Sequence, residues 1–282
     1  MADTTGEQDL RGIAYSKIVT GFALQEYKMK QLCTIVKSNA WTETYYKETA
    51  TELTAGGEIN IKGVPRLANF PYGEPSWTET SARHLKHAME GVVSWEDQQT
   101  DKFDVIARTL LRISRAIAKS VDDTIAAAIV ADAGQTQAAN ATWDNAVMAD
   151  RDPIQDILNA KSKIAIQNYN PDKNGYLLVH PTGLSHLLGN ANVRNAGQFY
   201  TDSVTRNGVV GKLLGLTVIS STAVTDGGAQ VIIAKEACVW KEVCPLTVKT
   251  IEDAGIKTTI RAWEVGQIQT HNTNAICKIT GI

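Results

Sequence analysis

What this sequence lacks narrows its function before any motif is read. No apolar run approaches the roughly 20 residues of a membrane-spanning helix, so no transmembrane segment is expected. The opening MADTTGEQDLRG is polar and lacks the basic-then-apolar pattern of a signal peptide, which predicts a chain that starts in the cytosol. Cysteine is scarce. Cys33, Cys238, Cys244 and Cys277 include no C-x-x-C pair, so a structural zinc site has no footing and buried thiols are expected. Cys238 and Cys244 bracket VWKEV, but a reducing compartment argues against a disulfide between them. Neither sign of charge is in excess: the net charge is −2, which excludes bulk electrostatic capture of nucleic acid while leaving local stripes open.

The signatures of common catalysts are missing too. There is no Walker loop and no G-x-G-x-x-G. Gly183-Leu184-Ser185-His186-Leu187 lacks the second glycine of a nucleophile elbow. His84 and His87 lie in an extended run at a spacing that points them to opposite faces, which weakens them as a metal pair. His180 and His186 flank a helix start with no carboxylate or thiol beside them, and read as structural. No catalytic, cofactor-binding or metal-ligating residue is assigned, no cofactor is expected, and the chain does not read as an enzyme.

What is present is a globular composition, 43% apolar and 21% charged over 282 residues, with room for one or two domains. The organising element is a long helix over 101–133. Phe103, Ile106, Leu110, Ile113, Ile117, Val121, Ile125 and Ala128 recur every three or four residues and share one face. Asp101 reads as its N-cap, Asp104 sits at the positive end of the dipole, and Gly134 reads as a left-handed stop. At 1.5 Å per residue such a helix is roughly 50 Å long, a spine rather than a wall. On its polar side Arg108, Arg112, Arg115 and Lys119 form a narrow stripe. The stripe is either a surface offered to polyanion or a solvated face paired with neighbouring acids.

Before the spine, residues 1–12 are polar, and 13–38 are irregularly amphipathic, a helix around 22–38 or an extended arm. The stretch 41–93 holds two extended runs, TETYYKETATELT and SWTETSARHLKHAMEGVVSW, joined through Gly56-Gly57 and the turn-rich NFPYGEPSW. It has too few aliphatic residues to bury a core of its own, so it reads as a ribbon that packs on something else, including another copy of the chain. Ser94-Trp95-Glu96-Asp97 predicts a short leading turn, and 135–151 reads as loop. Asp152-Pro153 then opens a helix to about Gln167. GYLLVH is a buried-type strand, Pro181 starts a short helix ending at Gly189, and LLGLTVIS is a second strand. Asp226-Gly227 signals a hairpin before QVIIA. Helix and strand alternating over 151–234 predict a small α/β domain. The tail returns to β: CVWKEVCPLTVKTI, IKTTIRAWEVGQIQTH and AICKIT, the middle run placing Ile256, Thr258, Ile260, Ala262 and Glu264 on one side.

In that order a polar arm, a ribbon and the spine FDVIARTLLRISRAIAKSVDDTIAAAI precede the DPIQDIL helix, GYLLVHPTGLSHLLG, GKLLGLTVISS, VIIA and IKTTIRAWEVGQIQT. The chain resembles, over nearly its whole length, the major capsid proteins of tailed bacteriophages, the Hong Kong 97-type capsid fold. The resemblance implies an α+β fold with a spine helix, an extended β-ribbon loop, a peripheral domain and an α/β axial domain. It divides the chain into an N-terminal arm (1–40), the extended loop (41–93), a peripheral domain with the spine (94–150) and the axial domain (151–234). Peripheral strands (235–272) and a C-terminal strand (273–282) complete it. The 190–210 loop is expected near a symmetry axis. The implied function is self-assembly, as pentamers and hexamers, into an icosahedral shell around double-stranded DNA. The implied place is the virion capsid, assembled in the host cytoplasm. Implied partners are other copies of the chain, the packaged DNA, a portal protein, a separate scaffolding protein, since the family's N-terminal scaffolding segment has no room here, and a decoration protein; no membrane is implied. In the resembled fold the spine lines the shell's inner side, which makes Arg108, Arg112, Arg115 and Lys119 candidates to face DNA. Some capsids of this fold crosslink a loop lysine to a neighbour's asparagine; Lys47 and Lys62 lie in the right stretch, but no apolar pocket for a neutral amine is legible. The alternatives are an encapsulin-like compartment shell and a soluble α/β enzyme with an unrecognised site.

Overall fold

The computed structural model describes residues 17–23, 27–48, 63–70, 77–100, 105–190, 193 and 211–282. They fall into two compact units that share the chain in alternating pieces. The first takes the described residues up to Glu43, Arg83–Ala126 and Trp240–Ile268; the second takes those of 44–82, Ala127–Val239 and Gln269–Ile282.

The first unit is a four-stranded sheet in the order β1-β10-β11-β4, with the spine against it. Its strands are β1 (Thr34–Lys37), β4 (Leu85–Ser94), β10 (Cys238–Asp253) and β11 (Lys257–Thr270). The last two begin or end just past the unit's edge. β11 pairs antiparallel with β4 from Lys257↔Ser94 to Gly266↔Leu85. The inward face of β11 carries Thr258, Ile260, Ala262 and Glu264 as expected, but Ile256 lies outside the strand and is exposed. A short helix, α1 (Trp95–Thr100), leads to the spine, α2 (Val105–Ala131). Its 27 residues make about 40 Å. Phe103, Asp101 and Asp104 lie outside the described residues. Leu110, Ile113, Ile117, Val121 and Ile125 are buried as their spacing predicts. The buried arc is wider than that stripe and also takes in Ser114, Ala118, Asp122, Ala126 and Ile129. β4 crosses α2 so closely that a Cβ on Gly91 would stand 2.6 Å from Thr109 Cγ2 and 2.7 Å from Ile113 Cδ1.

The second unit is built on a six-stranded sheet in the order β5-β12-β9-β6-β8-β7. These are β5 (Gln135–Ala138), β6 (Gly175–Val179), β7 (Lys212–Leu213), β8 (Leu216–Ser220), β9 (Gly228–Ile233) and β12 (Ile276–Thr280). Helix α3 (Pro153–Ile166) packs against β5, β9 and β12, and α4 (Pro181–Gly189) follows β6. Asp152 caps α3 as expected, its carboxylate accepting from Gln155 N at 3.1 Å. β6 runs parallel to β8 and antiparallel to β9. Asp226-Gly227 therefore makes a turn, with Gly227 at φ +75, but not the expected hairpin, because β6 lies between β8 and β9. Gly134 is likewise not a left-handed stop. It is needed because a Cβ there would sit 2.7 Å from the Thr273 carbonyl oxygen, to which its own N–H nearly points as it donates at 2.9 Å.

The expected 41–93 ribbon divides. β2 (Thr42–Glu48) and β3 (Trp77–Arg83) pair as a two-stranded sheet, whereas the residues after His84 leave it to form β4. Residues 49–62 and 71–76, like nearly all of the 190–210 loop, lie outside the described residues. Residues 22–38 are not one helix: Lys30–Leu32 form a single 3₁₀ turn ahead of β1. No helix among the described residues is long and apolar enough to cross a membrane.

Candidate assembly and nucleic-acid interface

Because the apolar stripe of α2 faces the sheet, its opposite side is turned outward. Arg108, Arg112, Arg115 and Lys119 are all exposed there, within about 16 Å of helix length. Lys119 Nζ lies 2.7 Å from Asp123 Oδ2 one turn on, an exposed pair contributing about 0.3–0.5 kcal/mol. Arg108 and Arg115 engage partners as well. The stripe is thus a partly compensated cationic ridge. Chemically it can meet phosphate oxygens without reading sequence.

Beneath that ridge lies a polar cluster that sequence reasoning missed. Asp122 is buried, and its carboxylate accepts the backbone N–H groups of Lys28, Met29 and Lys30 at 2.8, 3.1 and 3.3 Å. Burial raises its proton affinity above the usual carboxylate range, against those three donors. Lys30 reaches inward to Glu242 at 2.9 Å and Glu264 at 2.5 Å, and lies over the rings of Tyr27 and Trp240. Burial alone lowers the proton affinity of Lys30, but the Glu264 charge and hydrogen bond outweigh it and the net shift is upward. The Tyr27 hydroxyl donates to Glu264 at 2.5 Å, and burial together with that carboxylate holds the phenol protonated. The cluster ties the segment 27–32 to the spine and to β10 and β11. The only local signal was polar residues at core positions of α2 and β11, at Asp122 and Glu264.

No group of three or more possible metal ligands is gathered among the described residues. His84 lies between β3 and β4 and His87 within β4; both are buried, and burial lowers the proton affinity of each. His87 Nδ1 is 2.9 Å from Ser120 Oγ. His180 Nδ1 lies 2.7 Å from Thr182 Oγ1, and Thr182 in turn donates to Asp226, a fully exposed carboxylate held below its usual range by that bond. This set caps α4 and has no buried nucleophile.

Lys47 Nζ is 2.6 Å from Asp132 Oδ1, a half-buried ion pair. Lys62 lies outside the described residues. Along the ribbon Tyr46 and Trp77 meet edge to face at 6.2 Å across the strand pair, both exposed. Leu67 and Phe70 are almost wholly exposed. Two strands alone are marginally stable in water, and exposed aromatics of this size mark contact surfaces.

The described residues thus form a spine helix laid on a four-stranded sheet, a six-stranded mixed sheet and a two-stranded ribbon. The model of a family described as phage capsid protein matches residues 77–279, and the chain belongs to that family. No curated protein matches it in sequence. The capsid of cyanophage P-SCSP1u is similar at TM-score 0.65 and 13% identity, covering 90% of this chain and 88% of that one. A phage-related protein from Bordetella bronchiseptica is similar at TM-score 0.65 and 15% identity, covering 95% and 96%. The virus-like particle from Pyrococcus furiosus gives TM-score 0.63 at 9% identity, covering 95% and 99%. At such identities the likenesses establish the fold, α+β of the tailed-phage capsid type, and the family establishes a shell-forming capsid protein.

Proposed function

We propose that this chain is the major capsid protein of a tailed phage, assembling as hexamers and pentamers into an icosahedral shell around double-stranded DNA. The observation that carries this reading is the ribbon: Tyr46 and Trp77 exposed on a two-stranded sheet, with Leu67 and Phe70 exposed in the segment between its strands, have a use against another copy of the chain. In this reading the ribbon is the extended loop, the four-stranded unit with the spine is the peripheral domain, and the six-stranded unit is the axial domain. The role is structural, not catalytic. Shells form in the host cytoplasm with a portal protein and a separate scaffolding protein, and a decoration protein can bind the finished surface.

Arg108, Arg112, Arg115 and Lys119 face the packaged DNA and touch its backbone. Such contacts are independent of sequence and weaken with salt. Replacing Arg112 and Arg115 together with Gln tests this: shells should still assemble, while packaged DNA length or retention on heating falls. If the double variant forms no shells, the ridge is an assembly contact and the DNA reading is wrong.

A second reading, an encapsulin-like compartment with protein cargo, is favoured by the likeness to the Pyrococcus furiosus particle. Nuclease-protected DNA inside purified particles supports the phage reading; a cargo protein in its place supports the compartment.

A further inference from the structure

Where the ribbon begins, one buried side chain has no partner for either of its polar atoms. His84 stands between β3 and β4, belongs to neither strand, and is 4% exposed. Neither Nδ1 nor Nε2 has a hydrogen-bond partner among the described residues. Its backbone N–H donates to the Trp41 carbonyl at 3.0 Å, which ties the end of one ribbon strand to the start of the other.

The charged groups facing the ring are Glu43 from β2 and Lys241 from β10. Nε2 lies 4.0 Å from Glu43 Oε1, too far for a hydrogen bond. That carboxylate already serves two others: the Ser38 hydroxyl donates to it, and Lys241 Nζ is 3.9 Å away. Ser38 is fixed in turn, its N–H donating to the Glu242 carbonyl at 2.9 Å and its hydroxyl oxygen accepting from Ala40 N at 3.1 Å. A neutral imidazole fits this pocket as an apolar ring. An imidazolium does not: it carries two donors, and the carboxylate within reach is committed to Ser38 and Lys241.

We propose that His84, Glu43 and Lys241 form a proton-operated latch at the root of the ribbon. Neutral His84 keeps the root closed; a proton taken up from water moves Glu43 from Ser38 and Lys241 toward the imidazolium and loosens the first residues of β2 and the last of β3. Burial and Lys241 disfavour the charged ring while Glu43 favours it, so the latch opens below the ordinary histidine value of 6.5. The latch is a property of the single chain and does not depend on shell formation.

The test uses the full-length unassembled chain. The His84 ring is titrated by NMR between about pH 7.5 and about pH 4.5, and amide exchange over 38–48 and 77–90 is followed on the same samples. After correction for intrinsic exchange, these amides should exchange at least about fivefold faster at the acidic end, with the midpoint of the His84 titration. His84→Gln should abolish the acceleration. Glu43→Gln should move the midpoint to lower pH and Lys241→Met to higher pH, which decides the matter even if the His84 variant fails to fold. An unchanged pH response in His84→Gln, or midpoints that do not move in these opposite directions, overturns the proposal.

Discussion

Around the six-stranded sheet the buried side chains are nearly all hydrocarbon: Leu177, Leu178 and Val179 on β6, Val231, Ile232 and Ile233 on β9, and Ile157, Ala160 and Ile164 on α3. The four-stranded sheet with its spine buries Ile113, Ile117 and Ile260, but also Asp122, Glu264, His84 and His87, with Lys30 mostly enclosed. Both units bury one acid held only by neutral donors, Asp122 by three amides and Asp156 by Trp143 Nε1 and Asn140 N. The difference therefore lies in the ion pairs and the histidines. An apolar core is insensitive to pH and tolerant in its details. A polar core fixes one arrangement and fails when a single partner is removed.

Removing that partner should give the largest effect. Glu264→Gln leaves Lys30 and Tyr27 without their shared carboxylate and should destabilise the chain by about 3–5 kcal/mol in urea unfolding. Leu178→Ala, in the hydrocarbon core, should cost about 2–4 kcal/mol, equally at about pH 7 and about pH 5. In the unaltered chain the histidines sharpen the contrast. Their native proton affinity is lowered, so the unfolded chain binds the proton first, and the stability they contribute is lost as pH falls below 6.5. Amide protection on β4 should thus fall across that range while protection on β6 and β9 holds. Asp122 and Asp156 shift the other way, bind protons more tightly when folded, and weaken both units alike as pH rises above the carboxylate range. The smallest effect belongs to a cap: Asp152→Ala should cost about 1 kcal/mol and fray the first turn of α3 in exchange measurements.

The apolar unit is also the one the sequence spelled out. GYLLV, the Asp152-Pro153 helix start and the 181–189 helix rest on short-range patterns, and each stands within a residue or so of its expected place. The Asp226-Gly227 turn is real, but a turn signal says nothing about which strand enters between its flanks, and β6 does. The spine's apolar stripe was legible from its spacing. Its wider buried arc was not, because Asp122 is buried by amides lying more than ninety positions earlier. The cationic ridge was visible as a spacing of four residues and is exposed as that spacing implies. The partner cluster of Lys30, Glu242 and Glu264 spans over two hundred positions, and no local pattern joins them. Polar residues at core positions were its trace, and they look the same as a solvated face until the neighbours are placed.

The central claim is that this chain builds a closed shell, and electron microscopy of the purified full-length protein tests it most directly. Wild-type protein should give closed particles tens of nanometres across, while replacing Leu67, Phe70 and Trp77 together with Ser leaves capsomers or monomers whose six-stranded unit retains its amide protection. A wild-type protein that stays monomeric under all assembly conditions, or a triple variant that forms shells as readily as wild type, would contradict the account.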